Sequence, residues 1–206
     1  MNSRSSVSRP LVAATLLMCL FAAPALGHLP LPPKKGEIGR TAKQSKVPEF
    51  TLLDQDGKPF RITSARGKIV LVTFVFTTCP DVCPLLSAKF AAIQRALEER
   101  KMNDYLLLSI TTDPGRDTPS ALKNYAQGFK ADFGHWRFLT GSERDLAKVW
   151  QGFGVIVRKS GGQVQHTALT TLIDRRGIRR IDYYTDKWEA KEILRDIASL
   201  DIPTHQ

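Results

Sequence analysis

The segment that most constrains the fold is a nearly continuous apolar run at residues 68–76, rich in β-branched and aromatic side chains. Such a run is typical of a central strand that is buried on both faces of a sheet. Residues 83–101 follow, with apolar side chains spaced four, three and four positions apart from Leu86 to Leu97, which predicts an amphipathic helix. A buried strand that leads directly into a long helix indicates an α/β domain.

Further patterns predict more strands and helices around this unit. A hairpin is expected at residues 50–63, where Asp56-Gly57 supplies the turn. Beyond it, the patterns predict strands at residues 105–110, 136–139, 167–173 and 178–183, and helices at residues 117–128, 142–152 and 188–200. The last two strands form a hairpin in this interpretation. The resulting order is that of a thioredoxin-like α/β fold with an N-terminal β-hairpin extension.

The N-terminus has the pattern of a secretory signal peptide over residues 1–27. Two arginines precede an apolar stretch at residues 11–23, and small residues allow cleavage after Gly27. The stretch is shorter than the roughly 20 residues that span a bilayer. An uncleaved inner-membrane anchor stays open as an alternative, and a lipid on Cys19 is less favoured because the bulky Met18 precedes it. We therefore expect an exported, periplasmic protein, or one anchored in the inner membrane and facing the periplasm.

Residues 28–46 are rich in lysine and proline and predict a flexible basic linker before a single domain at residues 47–203. The chain has 30 Lys and Arg against 20 Asp and Glu, a formal net charge of +10. A solvated basic leader is the simpler interpretation, and attraction to an anionic membrane surface or an acidic partner is the alternative. Because no aromatic residue interleaves the basic stretch, we expect no nucleic-acid binding. The protein is expected to be a monomer.

The cysteines carry the chemistry. Of three cysteines, Cys19 lies in the predicted signal, so the mature protein would contain only Cys79 and Cys83. Outside the cytoplasm an unprotected thiol pair tends to oxidise, so a reduced pair there needs a metal or a dedicated reductant. Positions i and i+4 of a helix lie on one face with Cα atoms about 6 Å apart, near the upper end of disulfide reach. The same thiolates could hold one metal ion, so a redox pair and a soft-metal site both stay open.

One histidine stands out from the other three. His166 directly precedes the predicted strand at residues 167–173, and the loop that enters this strand of a thioredoxin-like fold lies against the cysteine motif. An imidazole beside two sulfurs would give a three-coordinate set suited to Cu(I), and a loop histidine without a ligand role is the alternative. His135 is expected to pack or lie on the surface, and His205 to have no role. His28 could chelate Cu(II) only if cleavage occurs directly before it.

Three aspartates lie near the expected site. Asp113 and Asp117 follow the predicted strand at residues 105–110, where a turn and a cap of the next helix (Asp117 or Thr118) are the simplest roles. Steering of copper or docking of a partner is the alternative. Asp81, between the cysteines, is expected to be a solvated carboxylate that favours the helix dipole.

Four ordered motifs resemble those of the Sco/SenC copper proteins, which take part in cytochrome c oxidase assembly. They are FTTCPDVCP at residues 76–84, TTDPGRDT at 111–118, WRFLTG at 136–141 and VQHT at 164–167. The resemblance covers about residues 47–200.

This resemblance implies a site and a role. The site would bind one copper ion per chain, Cu(I) or Cu(II), through Cys79, Cys83 and His166, and would form a reversible, redox-active Cys79–Cys83 disulfide. The role would be copper delivery to, or thiol maintenance of, the dinuclear copper site of an oxidase subunit, with a thiol reductant as a further partner. Two features depart from the family pattern: the signal looks cleavable where an anchor is often kept, and Gln165 stands where Asp is common. The second change removes a carboxylate near the ligand and is expected to weaken Cu(II) relative to Cu(I).

Three functions follow for testing. A copper-binding assembly factor needs all three proposed ligands. An extracytoplasmic thiol–disulfide oxidoreductase acting on partner cysteines needs Cys79 and Cys83 but not His166, and the two roles can coexist because they use the same sulfurs. A thiol peroxidase is the third and weakest interpretation, suggested by the N-terminal hairpin and by the strand that leads into Thr77-Thr78-Cys79.

Overall fold

The computed structural model describes residues 39–201 together with Met1. The rest of the predicted signal peptide, residues 28–38 of the predicted linker and the chain beyond residue 201 lie outside the described residues, as do Cys19, His28 and His205. Within residues 39–201, no helix has the combination of length and apolar character that crossing a membrane requires.

The described residues form a central sheet, two short hairpins and four α-helices. The strands are β1 (Arg40–Lys46), β2 (Thr51–Leu53), β3 (Pro59–Arg61), β4 (Ile69–Val75), β5 (Tyr105–Thr111), β6 (Trp136–Leu139), β7 (Val157–Ser160), β8 (Gln163–His166), β9 (Leu169–Ile173) and β10 (Ile178–Tyr184). The helices are α1 (Val82–Glu99), α2 (Pro119–Gly128), α3 (Glu143–Phe153) and α4 (Ala190–Asp201). The sheet has the order β1-β10-β9-β4-β5-β6. Strands β4, β5 and β6 are parallel, whereas the β4–β9, β9–β10 and β10–β1 pairs are each antiparallel.

The centre of the sheet is buried on both faces, as the apolar run predicts. All residues of β4 and β5 are buried. Ile69 and Leu71 belong to the core that includes α1, α2 and α4, whereas Val70, Val72 and Phe74 belong to the core formed with α3 and the β2–β3 hairpin region. Because successive side chains of a strand point to opposite faces, one continuous apolar segment supplies both cores. The predicted thioredoxin-like fold with its N-terminal β2–β3 hairpin is confirmed.

Helices α2 and α3 begin at capping residues that the sequence offers. The Thr118 side chain accepts a hydrogen bond from the Ala121 N–H at 3.2 Å, and Ser142 accepts one from Asp145 at 3.1 Å. Each hydroxyl satisfies one of the N–H groups left unpaired in a first helical turn. Thr118, rather than Asp117, is therefore the cap of α2, and Asp117 is free to act elsewhere.

The end of the predicted linker is a strand. Residues 40–46 form β1 and pair antiparallel with β10, from Arg40 opposite Tyr183 to Lys46 opposite Ile178. The Arg40 guanidinium also makes two hydrogen bonds of 2.8 Å to the Asp196 carboxylate on α4. The linker prediction is therefore wrong for these seven residues. The pattern missed them because an edge strand has polar, half-exposed side chains and no apolar run.

A second hairpin was also missed, and it changes the setting of His166. β7 and β8 pair antiparallel, with Val157 opposite His166, and Gly161 and Gly162 turn the chain with φ of 57° and 76°. These left-handed angles favour glycine because it has no Cβ. His166 is therefore the last residue of a strand rather than a loop residue, and its backbone position is fixed by the hairpin.

Candidate metal centre

The two cysteines lie where β4 passes into α1. Cys79 is in the connecting loop, whereas Cys83 is the second residue of the helix, so the pair does not share a helix face as i and i+4 residues would. Asp81 at the N-cap makes no side-chain capping bond. The Cys83 N–H instead points at the Cys79 sulfur, 3.5 Å away. The sulfur of Cys79 thus takes the capping role and is held at the positive end of α1.

The cysteines differ in their protonation. The Cys83 thiol donates to the Cys79 sulfur and, with the N–H groups of Asp81, Val82 and Cys83, lowers the pKa of Cys79 to about 6 despite its burial. The pKa of Cys83 is raised well above its usual value, first by that same contact and then by burial. Cys79 is 7 % and Cys83 1 % exposed. The pair at neutral pH is therefore a thiolate with a neighbouring thiol.

His166 is oriented and neutral. Its Nδ1 lies 3.0 Å from the carbonyl oxygen of Thr167. Because a carbonyl only accepts, Nδ1 carries the proton and Nε2 keeps its lone pair. Burial lowers the pKa of His166, so the ring stays uncharged at neutral pH. A neutral imidazole with one nitrogen fixed by a hydrogen bond is the form in which histidine binds metals.

Phe76 connects the histidine with the cysteines. The His166 ring packs edge-on against Phe76, with centroids 5.9 Å apart. Phe76 in turn belongs to an apolar cluster with Cys79, Cys83 and Val164, the residue two positions before the histidine. The strand β8 and the cysteine loop are thus neighbours in one dry environment, which strengthens electrostatic interactions between the groups they carry.

The three side chains are neighbours but not a preformed ligand set. Among residues 39–201, no three His, Cys, Asp or Glu side chains converge closely enough to hold a metal ion. The structure places the Cys83 thiol and N–H against the Cys79 sulfur and His166 against the Phe76 ring. A site with three ligands would therefore require the cysteine loop and the end of β8 to approach each other.

Asp117, which the sequence placed near the expected site with a cap of the next helix as its simplest role, lies instead beneath the cysteine loop. Asp117 is fully buried and accepts hydrogen bonds from the Thr77 N–H at 3.2 Å, from the Thr77 hydroxyl and from the Thr111 hydroxyl. Burial raises the pKa of Asp117, and these donors oppose the shift. The motif that contains Asp117 was visible in the sequence, but its contact with a threonine 40 residues earlier was not.

Asp113 and His135 have partners of their own outside the cysteine loop. Asp113 forms an ion pair with Arg116 in the turn after β5, as its predicted turn position suggests. His135 donates from Nδ1 to the Asp132 carboxylate at 2.9 Å and stacks on Tyr105 at the start of β5. Because β4, β5 and β6 are parallel, that contact is at the opposite end of the sheet from the cysteine loop.

Comparison with known proteins places this geometry in a family. A family model described as SCO1/SenC matches residues 39–200. A SCO2-like protein of Rickettsia conorii is 33% identical over 210 residues, which cover 95% of this chain and 100% of that protein. The copper-bound structure of Bradyrhizobium japonicum ScoI has a TM-score of 0.66 and 32% identity, over 76% of this chain and 99% of that one.

A further solved structure matches on both sequence and fold. It is BsSco, described with a disulfide switch and as a member of the Sco family of cytochrome c oxidase assembly proteins. Its TM-score is 0.68 and its identity 30%, over 80% of this chain and 98% of that one. The family match extends through the cysteine loop, the Asp117 turn and the β8 histidine, and the resemblance seen in the motifs is confirmed. This chain belongs to the SCO1/SenC family.

Proposed function

We propose that this protein binds one copper ion through Cys79, Cys83 and His166 and serves the assembly of the dinuclear copper site of a cytochrome c oxidase subunit. The observation that carries the proposal is a thiolate–thiol pair that shares one apolar cluster with Phe76, against which a neutral histidine with a free Nε2 packs. A copper-bound ScoI and a Sco family oxidase assembly protein among its structural relatives support the same function.

The ligand chemistry favours Cu(I). Two thiolates and an imidazole are soft or borderline ligands, and a low coordination number suits the monovalent ion. The Nδ1 proton of His166 is held by the neutral carbonyl oxygen of Thr167, and Gln165 stands where an acidic residue is common in the family. A neutral partner makes the imidazole a weaker donor than a carboxylate partner would. We therefore expect Cu(I) to be preferred over Cu(II).

Copper uptake in this proposal displaces one proton. Cys79 is already a thiolate at neutral pH and His166 is already neutral, whereas Cys83 must lose its proton to become a ligand. The negative charge of a second thiolate becomes favourable once the cation is bound. Transfer to the acceptor runs in reverse, with Cys83 regaining its proton as copper leaves.

Copper titration of the reduced protein tests this function. We expect one Cu(I) per chain, measured by competition with a chromogenic chelator, and a large loss of affinity in Cys79→Ala, Cys83→Ala and His166→Ala. His135→Ala is the matched control, because this histidine lies at the other end of the sheet. Full Cu(I) affinity in His166→Ala would remove the histidine from the ligand set.

A thiol–disulfide oxidoreductase is the second candidate, favoured by the asymmetric protonation of the cysteines. A thiolate at Cys79 can attack a partner disulfide, and the Cys83 thiol beside it can then resolve the mixed disulfide. The partner's disulfide bond breaks and the Cys79–Cys83 bond forms; the partner's two sulfurs gain two electrons and the Cys83 proton, and a second proton comes from solvent. In this case His166→Ala reduces a model disulfide as fast as the unmodified protein, whereas either cysteine variant does not.

The cellular setting is part of the proposal. We place the protein on the periplasmic side of the inner membrane as a monomer, where it would meet the oxidase subunit and a thiol reductant. The basic side chains of Lys34 and Lys35 would favour association with an anionic membrane surface. Fractionation of cells at low and high salt tests this placement: release by salt indicates surface attraction, and retention indicates an anchor.

A further inference from the structure

We propose that Asp117 is a positioning residue that holds the cysteine loop in its working geometry through Thr77. The inference rests on the proposed use of Cys79 and Cys83, and it adds a residue that touches neither sulfur. The Asp117 carboxylate accepts from the Thr77 N–H and hydroxyl and from the Thr111 hydroxyl. Thr77 lies two residues before Cys79, and Thr111 ends β5.

The surroundings of Asp117 argue for a specific task. Its side chain is completely buried, and the partners recorded for it in the described part of the chain are hydroxyl and N–H groups rather than a cation. Burying a carboxylate without a cation is costly unless several donors satisfy it. Helix capping does not explain the group, because Thr118 already caps α2. The carboxylate instead links the segment that follows β5 to the segment that follows β4.

The contact between Asp117 and Thr77 is connected to the sulfurs through the backbone of the cysteine loop. Next to it, the Thr112 N–H donates to the Val75 carbonyl at 2.8 Å, so the backbones of the two segments are also paired. Within the loop, the Cys79 N–H donates to the Phe76 carbonyl at 3.2 Å. The Cys79 sulfur then meets the Cys83 N–H. The placement of Cys79 against α1 therefore depends on a loop of which Asp117 holds the first part.

Weakening the contact between Asp117 and Thr77 should change the placement of the two sulfurs. In Asp117→Asn the side chain keeps its shape but has one acceptor oxygen in place of two, so it cannot satisfy the same donors. A looser loop lowers the fraction of time in which the sulfurs are correctly placed. We expect Cu(I) affinity to fall about tenfold, as for other groups that orient metal ligands. We also expect the disulfide–dithiol equilibrium against glutathione to shift toward the dithiol.

Variants of Thr77 distinguish positioning from a general structural effect. Thr77→Val removes the hydroxyl and should reproduce the loss, whereas Thr77→Ser keeps it and should retain normal affinity. The double variant Asp117→Asn/Thr77→Val should lose no more than the larger single loss, because both changes break one contact. Asp174→Asn is the matched control: this buried carboxylate accepts from the N–H groups of Arg176 and Ile178 in the β9–β10 turn, at the other end of the sheet.

The measurements are Cu(I) competition, redox equilibrium with glutathione, and thermal unfolding of each reduced variant. Loss in Asp117→Asn and Thr77→Val, with normal values in Thr77→Ser and Asp174→Asn, supports the proposal. Unchanged copper affinity and unchanged redox equilibrium in Asp117→Asn overturn it, as do additive losses in the double variant. If the unmodified protein binds no copper, the proposed metal function fails, and the glutathione equilibrium alone decides whether Asp117 positions the cysteine loop.

Discussion

The contact between the two cysteines predicts how Cys79 responds when its neighbour is changed. The Cys83 thiol is the first cause of the low pKa of Cys79, which is about 6. Cys83→Ala removes this donor and leaves the N–H groups of Asp81 and Val82 and the start of α1 in place. We therefore expect the pKa of Cys79 to rise, although not fully to the ordinary cysteine value of about 8.5.

The size of the effect follows from the titration. With a pKa of about 6, about nine-tenths of Cys79 is thiolate at pH 7. Loss of one hydrogen bond to a charged acceptor should raise the pKa by about 1 to 2 units. The thiolate fraction at pH 7 would then fall to between about one half and about one tenth.

The assay is alkylation of Cys79 by iodoacetamide across pH 5 to about 10, the range in which the thiol becomes a thiolate, followed by fragmentation mass spectrometry that distinguishes Cys79 from Cys83. The midpoint of the profile is the measured quantity, because the intrinsic nucleophilicity of a thiolate also changes with its pKa. Cys83→Ser is the control, since its hydroxyl can still donate to Cys79. A midpoint that stays near that of the unmodified protein in Cys83→Ala would show that the helix N-terminus, not Cys83, sets the pKa of Cys79.

Further consequences concern stability. Burial lowers the pKa of His166, so below the ordinary histidine value of about 6.5 the unfolded chain binds a proton that the folded chain does not. The free energy of unfolding should therefore fall as pH drops below that value. His166→Gln should make this fall smaller, as measured by urea unfolding at pH 7 and at about 5. Phe90 is fully buried and packs on Trp136, so Phe90→Ala should lower the free energy of unfolding by about 3–5 kcal/mol in denaturant titrations. Asp196→Asn removes the charge that holds Arg40. Amide hydrogens of β1 should therefore exchange faster in this variant than in the unmodified protein, with β4 as the internal reference.

The sequence and the structure agree where local patterns are strong. The apolar run that became β4 and the hydroxyl caps Thr118 and Ser142 were readable because each depends on neighbouring residues. β1 could not be predicted, since its side chains are polar and its backbone pairs with a strand more than 130 residues later along the chain. The β7–β8 hairpin left only one signal, Gly161-Gly162, because its first strand is largely exposed and charged.

The same distinction applies to the site. The cysteine pair and the histidine could be selected from motif and spacing, but their states could not. The role of the Cys79 sulfur at the helix start and the hydrogen bond that fixes the His166 tautomer depend on backbone groups, and the asymmetry of the cysteines depends first on the contact between their side chains. The buried Asp117 is the clearest case, since its contact with Thr77 exists only after β4 and β5 are paired.

The arrangement of the three side chains suggests an order of events at one site. The Cys83 thiol already donates to the Cys79 sulfur, so the pair can exchange electrons with a partner disulfide without any movement of β8. Copper binding through the proposed ligand set needs a further movement, because His166 lies against Phe76 and would have to approach the sulfurs. A reduced, metal-free protein would thus be ready for thiol exchange first and become a copper carrier once the cation draws the histidine in. The discriminating measurement is the His166 ring proton chemical shift by NMR: it should move on Cu(I) addition and stay unchanged when Cys79 and Cys83 are oxidised without metal. A shift of equal size on oxidation alone would show that the histidine responds to the redox state of the sulfurs, and the two roles could not then be separated in this way.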